Sequence, residues 1–198
     1  MFCLFPLFAQ ERLPQTLGEI TQIEGTVTFL QWRSGAKVQE VKKGDFLWTE
    51  GSFLTHDDGY FSAKLLGDSF IKTTPETKFA LDYHPQEKKL TINLFTGSLK
   101  ILISQHKKSH FEKIIVKGAD ASFEASDAKF SVVRSPLLNS LSVYVQKGVV
   151  TTSRGEANQL VHANETSTIN EKTSGIPSPR NIQQKELKFL EQTFQKDK

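Results

Sequence analysis

Apolar and polar residues alternate with a period of two along most of this chain. Phe61, Ala63 and Leu65, for example, fall at alternate positions with polar residues between them. This alternation indicates a strand that is buried on one face. Turns rich in Asp and Gly interrupt it at residues 57–59 and 67–69, which is typical of strands joined by tight hairpins.

Turn signals recur about every 8–12 residues over residues 19–170, and no long helical period separates them. The pattern therefore predicts an all-β domain of consecutive antiparallel hairpins, stacked as a β-solenoid-like domain or folded over as a sandwich. Glycines at Gly25, Gly97 and Gly148 each precede an alternating strand. We interpret them as turns, with Gly97 closing the clearest hairpin, over residues 90–103. The predicted core consists of Val27, Phe29, Phe61, Ala63, Leu65, Ile71, Leu90, Ile92, Leu94, Leu99, Ile101, Ile103, Val143 and Val145.

The composition changes after Asn170. Residues 171–181 are rich in Gly, Pro and Ser and are predicted to form a linker. In residues 182–198, Leu187, Leu190 and Phe194 are spaced at i, i+3 and i+7. That spacing predicts a short C-terminal helix with a narrow apolar stripe.

Residues 1–9, MFCLFPLFA, are apolar, and the chain turns polar immediately afterwards. An apolar run that ends in a small residue is typical of the end of a secretory signal peptide. The run is short and lacks a basic start, so we interpret it as the remnant of a longer signal that begins upstream. An apolar strand, a disordered end or a lipid anchor at Cys3 is the alternative. No other run approaches the roughly 20 apolar residues that span a bilayer, so we expect an exported chain, periplasmic or at the cell surface, without a transmembrane segment after processing.

The charge and cysteine content narrow the classes of partner. The chain has 25 basic and 22 acidic residues and a net charge of +3. This near balance does not predict a nucleic-acid partner, because such proteins concentrate basic residues on one face. Cys3 is the only cysteine, so the sequence predicts neither a disulfide framework nor a cysteine metal site.

The sequence offers little catalytic chemistry. The five histidines do not form a His-x-His pair, and no G-x-S-x-G motif occurs. Turn formation accounts for Asp57 and Asp58 beside Gly59. We therefore predict that the protein is not an enzyme and has no catalytic residue, cofactor or metal. A small β-barrel enzyme that depends on a metal or another ligand is the alternative, with His56, His84 or His162 as conceivable ligands.

Aromatic and basic residues are the candidates for partner binding. Aromatic side chains at strand ends can stack on sugars or anchor a protein partner, or they can fill the ends of the core. The aromatic candidates are Trp32, Trp48, Tyr60 and Tyr83. Lys107 and Lys108 belong to a local basic patch, which either contacts an anionic partner or is a solvated loop.

Several short motifs follow one another in a characteristic order. They are Gly25-Thr26-Val27, Gly44-Asp45, Thr55-His56-Asp57-Asp58-Gly59, Gly67-Asp68-Ser69, Pro75-Glu76-Thr77, Gly97-Ser98-Leu99, Gly148-Val149-Val150 and Ala163-Asn164-Glu165. In this order the chain resembles the FecR-type periplasmic domain family over residues 19–169. It departs from the family at residues 126–130, where only Phe130 remains of a basic-Gly-Thr-x-Phe element.

The resemblance implies a non-enzymatic binding or scaffolding module of the bacterial cell envelope, with a protein or an envelope polymer as its partner. Members that regulate sigma factors also carry a cytoplasmic segment, a membrane-spanning helix and a C-terminal signalling domain, which this sequence does not contain. We therefore expect a stand-alone member. A role in envelope signalling is the further option, and it predicts a membrane helix upstream of Met1.

Overall fold

The computed structural model describes residues 15–32, 37–104 and 110–194. Among the described residues, 61% lie in strands and 8% in helices, so the predicted all-β class with a short C-terminal helix is confirmed. The strands are β1 Thr16–Glu24, β2 Val27–Gln31, β3 Val38–Glu40, β4 Phe46–Trp48, β5 Gly51–Thr55, β6 Tyr60–Leu65, β7 Phe70–Thr73, β8 Lys78–His84, β9 Lys89–Leu102, β10 Lys113–Gly118, β11 Ala121–Ala125, β12 Ala128–Ser135, β13 Ser140–Arg154, β14 Ala157–His162, β15 Glu165–Asn170 and β16 Arg180–Asn181. A 3₁₀ turn, Pro85–Glu87, precedes β9, and helix α1 spans Gln184–Phe194.

The strands form two sheets that pack face to face. The first sheet has the order β4-β1-β6-β7-β9-β12-β13-β15-β16, and the second has the order β3-β2-β5-β8-β9-β10-β11-β13-β14. Strands β9 and β13 belong to both sheets, and β9 to β13 close a five-stranded barrel. The described strands thus form a closed five-stranded barrel with additional strands beside it. Among the described strand pairs, only β9 and β10 run parallel.

The structure corrects the interpretation of the glycines as hairpin turns. Strand β9 runs through Gly97 without reversing, and β13 runs through Gly148 in the same way. Both glycines have positive φ angles, 86° and 81°, and at each the strand leaves one sheet for the other. Gly25, with φ 64°, occupies the corresponding bend between β1 and β2. Alternation on both sides of a glycine is the same for a bend and for a reversal, which is why the pattern predicted a hairpin.

The core lies between the two sheets. All fourteen residues that the alternation predicted to be buried are buried. A cluster of phenylalanine rings fills the N-terminal part of the core: Phe53 lies 4.7 Å from Phe29, 5.4 Å from Phe79 and 5.8 Å from Phe61, measured between ring centroids. These distances are those of favourable aromatic pairs, so the cluster holds the sheets together.

The C-terminal residues pack on the first sheet. Within the segment predicted as a linker, Arg180 and Asn181 form β16 at the edge of that sheet. Helix α1 then buries Leu190 and Phe194, two of the three residues of the predicted stripe. No helix in the described ranges has both the length and the apolar character needed to cross a bilayer.

Candidate partner-binding groove

The structure separates the aromatic residues that the sequence suggested for binding. Trp32, which is 56% exposed, and the half-buried Tyr83 line one cavity of about 220 Å³ together with Asp82 and Asn93. Burial raises the pKa of the Tyr83 hydroxyl. Trp32 and Tyr83 thus belong to one place, which their separation in sequence did not indicate.

Trp48 and Tyr60 lie elsewhere. Trp48 is half-buried, packs edge-on against Phe46 at 5.9 Å between ring centroids, and lines a different cavity beside β3. Tyr60 lies on the outer face of the first sheet, next to Phe194 of α1. Lys107 and Lys108 fall outside the described residues. Binding by any of these six residues stays a prediction.

The histidines and turn aspartates do not converge. The His56 ring lies 3.3 Å from Thr28 Oγ1, and His84 Nε2 pairs with Asp82 Oδ2 at 3.0 Å. Asp58 Oδ1 accepts a hydrogen bond from the Thr26 N–H at 3.0 Å, beside the bend at Gly25. In the part of the chain that the structure describes, no group of three or more His, Cys, Asp or Glu residues could hold a metal ion.

A groove of about 900 Å³ lies on one side of the molecule. It lies where the Pro75 corner, the bend at Gly97, the turn between β12 and β13, and helix α1 meet. We call it the corner groove. Its residues are Leu54, Thr55, His56, Asp57, Thr74, Pro75, Glu76, Thr96, Gly97, Ser98, Arg134, Ser135, Pro136, Leu137, Phe189 and Thr193.

A buried hydroxyl network fixes the floor of the corner groove. Thr55 Oγ1 donates a hydrogen bond to the Thr74 carbonyl at 2.6 Å and accepts one from the Thr77 N–H at 2.9 Å. Thr77 Oγ1 in turn accepts a hydrogen bond from the Ser98 N–H at 3.0 Å. These bonds tie the Pro75 corner to β9 beside Gly97. Because buried polar groups that are fully hydrogen-bonded make a unique, rigid arrangement, the floor is preformed.

The turn between β12 and β13 supplies one apolar wall. Leu137 is 94% exposed and its neighbour Leu138 is 72% exposed. The turn is closed by hydrogen bonds from the Asn139 N–H to the Pro136 carbonyl at 3.1 Å and from the Leu138 N–H to Ser135 Oγ at 3.4 Å. Two leucines at the tip of a tight turn are unusual, since such positions are normally polar. The two leucines directly after Pro136 are the sequence signal from which this wall could have been predicted.

Helix α1 supplies the opposite wall through Phe189, which is 58% exposed, and Thr193. The helix is anchored at its start, where Arg180 donates two hydrogen bonds to the Glu186 carboxylate at 2.6 and 2.9 Å. The Arg180 guanidinium and the Gln183 N–H lower the pKa of Glu186 to about 2. The groove therefore joins a rigid floor to two exposed apolar walls, an arrangement suited to binding a macromolecule.

Comparison with known proteins supports the fold. No family model matches the sequence, and no curated protein matches it. The structure is similar to a crystal structure, at 1.65 Å resolution, of a candidate anti-sigma factor from Parabacteroides distasonis. The TM-score is 0.57 and the sequence identity is 14%, over 70% of this chain and 63% of that one. A second structure of a candidate anti-sigma factor from the same organism, at 2.50 Å, gives a TM-score of 0.57 and 13% identity, over 68% of this chain and 61% of that one.

The likeness shows that the folds are similar over the aligned part. This chain spans less than two thirds of the length of either similar structure. At 13–14% identity the likeness concerns the fold alone.

Proposed function

We propose that this protein is an exported, non-enzymatic binding module of the bacterial cell envelope that acts in envelope signalling by engaging a protein partner through the corner groove. The observation that carries the proposal is the pair of apolar walls, Leu137 and Phe189, which face water on either side of a rigid floor. Large exposed apolar patches on soluble domains mark interaction sites.

The energetics favour a protein partner at this groove. Burying a leucine side chain contributes about 1.5–3 kcal/mol. Leu137 is almost wholly exposed, so nearly all of that free energy is available to a partner that covers it. The preformed floor reduces the entropy lost on binding, because little of the groove has to be ordered.

Two further observations support a role in envelope signalling. The fold is that of candidate anti-sigma factor structures, and the ordered motifs from Gly25 to Glu165 resemble the FecR-type family, whose domains act in envelope signalling. The apolar residues 1–9 supply the reason to propose export to the periplasm or the cell surface.

Site-specific photo-crosslinking tests the partner site. A photoreactive amino acid replaces Leu137 in one variant and Leu160 in a matched control, because Leu160 is also exposed but lies on β14 at the edge of the second sheet. We expect a discrete crosslinked protein at position 137 in cells and none at position 160. Equal crosslinking at both positions, or none at 137, contradicts the proposal.

Export is tested separately. Residues 1–20 are fused to an alkaline phosphatase that is active only outside the cytoplasm, with an upstream extension to the next in-frame start as a second version. We expect activity from at least one version and a mature chain that begins at Gln10. Cytoplasmic, inactive enzyme from both versions counts against export while leaving the groove proposal standing.

The cavity between Trp32 and Tyr83 favours a second candidate function, binding of an envelope polymer. An exposed tryptophan beside Asp82 and Asn93 is the combination that stacks on a sugar ring and hydrogen-bonds its hydroxyls. Soluble peptidoglycan fragments should quench Trp32 fluorescence in a Trp48→Phe variant. An unchanged spectrum at saturating fragment concentration rules this candidate out.

A further inference from the structure

Helix α1 lies across the outer face of the first sheet, at a large angle to its strands. Phe194, at one end of the helix, packs beside β6 and β7, and its ring lies 5.4 Å from Lys100 Nζ on β9. Glu186, at the other end, acts electrostatically on Tyr144 of β13. Three strand spacings separate β7 from β13, about 14 Å, and eight helical residues span about 12 Å. The helix therefore covers one transverse row of side chains.

That row is polar and basic. Cα pairing places Lys72 beside Lys100, Lys100 beside Ser131, and Ser131 beside Tyr144. Lys129 precedes Ser131 by two residues and raises the positive potential at Lys100. A sheet face that serves only as the permanent seat of a helix normally presents apolar side chains. This one presents ammonium and hydroxyl groups.

One hydroxyl group in the row beneath α1 has an unused capacity to form hydrogen bonds. Ser131 is 0% exposed, and its Oγ has no hydrogen-bond partner among the described residues. A buried hydroxyl without a partner carries a desolvation penalty and calls for an explanation. Burial is the main cause that lowers the pKa of Lys100, and the positive charges of Lys129 and Lys72 lower it further. The negative charge of Glu191 raises it. Among the described residues of the row, helix α1 thus leaves the Ser131 hydroxyl without a hydrogen-bond partner.

Apart from the Arg180–Glu186 pair at its start, helix α1 makes few contacts among the described residues that hold it on the sheet. It contributes two buried apolar side chains, Leu190 and Phe194, and an isolated helix of 11 residues is marginal in water. Its four charged residues are two lysines and two glutamates, so it brings no net negative charge to a basic row. A more acidic amphipathic helix would match the row better.

We infer that the row of Lys72, Lys100, Ser131 and Tyr144 is a second recognition surface, which accepts an acidic amphipathic helix of the protein partner in place of α1. This inference rests on the proposed function, because it specifies the chemistry of the same partner. Phe189 and Thr193 of α1 form a wall of the corner groove, so a partner helix that replaces α1 would itself supply that wall, opposite Leu137, and would bind the groove and the row together.

Two synthetic peptides test the inference. One is a fluorescent peptide with the sequence of residues 183–194 carrying Lys185→Glu and Lys188→Glu, and the other has the unaltered sequence. Both are titrated by fluorescence anisotropy against the full chain and against a Leu190→Ser variant that weakens the docking of α1. We expect the acidic peptide to bind the Leu190→Ser chain at least tenfold more tightly than the unaltered peptide, and more tightly than it binds the wild-type chain.

Lysine variants show where the peptide binds. In the Leu190→Ser background, Lys100→Gln with Lys129→Gln should abolish the preference for the acidic peptide, whereas Lys117→Gln, an exposed lysine on β10 in the second sheet, should preserve it. Lys100→Gln alone carries the test if the double variant loses cooperative unfolding. Equal binding of the two peptides, or a preference that survives Lys100→Gln, overturns the inference. If the peptide experiments overturn the inference but crosslinking at Leu137 persists, the proposed function still stands. If crosslinking at Leu137 is absent, the proposed function itself is refuted.

Discussion

The bend at Gly97 is the feature on which both the fold and the corner groove depend, and Gly97→Ala tests it. A Cβ added at this position would lie 2.3 Å from Thr77 Oγ1 and 2.5 Å from Thr77 Cα. Rotating the threonine side chain cannot relieve the second contact, because Cα belongs to the backbone. The φ angle of 86° is also unfavourable for any residue with a Cβ.

The magnitude follows from these two effects. The left-handed conformation costs roughly 1–2 kcal/mol. Moving the Pro75 corner away from β9 would also break the hydrogen bond from the Ser98 N–H to Thr77 Oγ1, which contributes about 1 kcal/mol. We therefore expect a loss of about 2–3 kcal/mol in the free energy of unfolding, together with a Tm lowered by about 4–12 °C for a chain of this size.

Gly155→Ala is the matched control. Gly155 also has a positive φ angle, 56°, but an added Cβ would meet no atom within 4 Å. It should therefore lose only the conformational part, roughly 1–2 kcal/mol. Thermal unfolding followed by circular dichroism measures both variants. Equal losses for Gly97→Ala and Gly155→Ala would refute the close approach of β9 to the Pro75 corner.

Three further predictions concern the floor of the groove, the core and the docking of α1. Thr77→Val keeps the shape of the side chain but leaves the Ser98 N–H without its acceptor, so chemical denaturation should show a loss of about 1–3 kcal/mol; an unchanged midpoint contradicts the hydroxyl network. Phe53→Ala removes the ring at the centre of the aromatic cluster and should destabilise the fold by about 3–5 kcal/mol, and a loss below 1 kcal/mol would show that the cluster is not the core. The pKa of Glu186 falls from its ordinary value of 4.5 to about 2 when Arg180 pairs with it, so the stabilisation is complete above about pH 4.5 and is lost as the pH falls towards 2. A fluorescent label on α1 should therefore report that the helix undocks in the wild type as the pH falls from about 4.5 towards 2. The Glu186→Gln variant should dock more weakly at pH 7 and should show no pH dependence. Identical pH curves for the two proteins would contradict the role of the Arg180–Glu186 pair.

The sequence carried most of the information about burial. Period-two alternation identifies Phe61 and Ile71 as core residues because a strand places successive side chains on opposite faces, and the structure buries both. The turn at residues 57–59 also follows from local chemistry, since Asp and Gly favour tight turns wherever they occur. These features depend on a few neighbouring residues, which is why a pattern can reveal them.

The groove could not be predicted in the same way. Pro75, Leu137 and Phe189 are far apart in the sequence and become neighbours only after β9 and β13 cross between sheets. The parallel pairing of β9 with β10 is likewise a product of the whole topology. At Gly97 the local pattern was consistent with either a reversal or a bend, and the pairing of β9 with β8 before this residue and with β12 after it distinguishes the two.

The affinity of the protein captured at position 137 tests the central claim most directly. Its dissociation constant should be measured by isothermal titration calorimetry against the wild-type chain, Leu137→Asp and Leu160→Asp. The corner groove predicts at least a tenfold weaker Kd for Leu137→Asp, since about 1.4 kcal/mol of lost burial corresponds to a factor of ten, and an unchanged Kd for Leu160→Asp. Equal affinities for all three chains would show that the groove is not where this protein binds its partner.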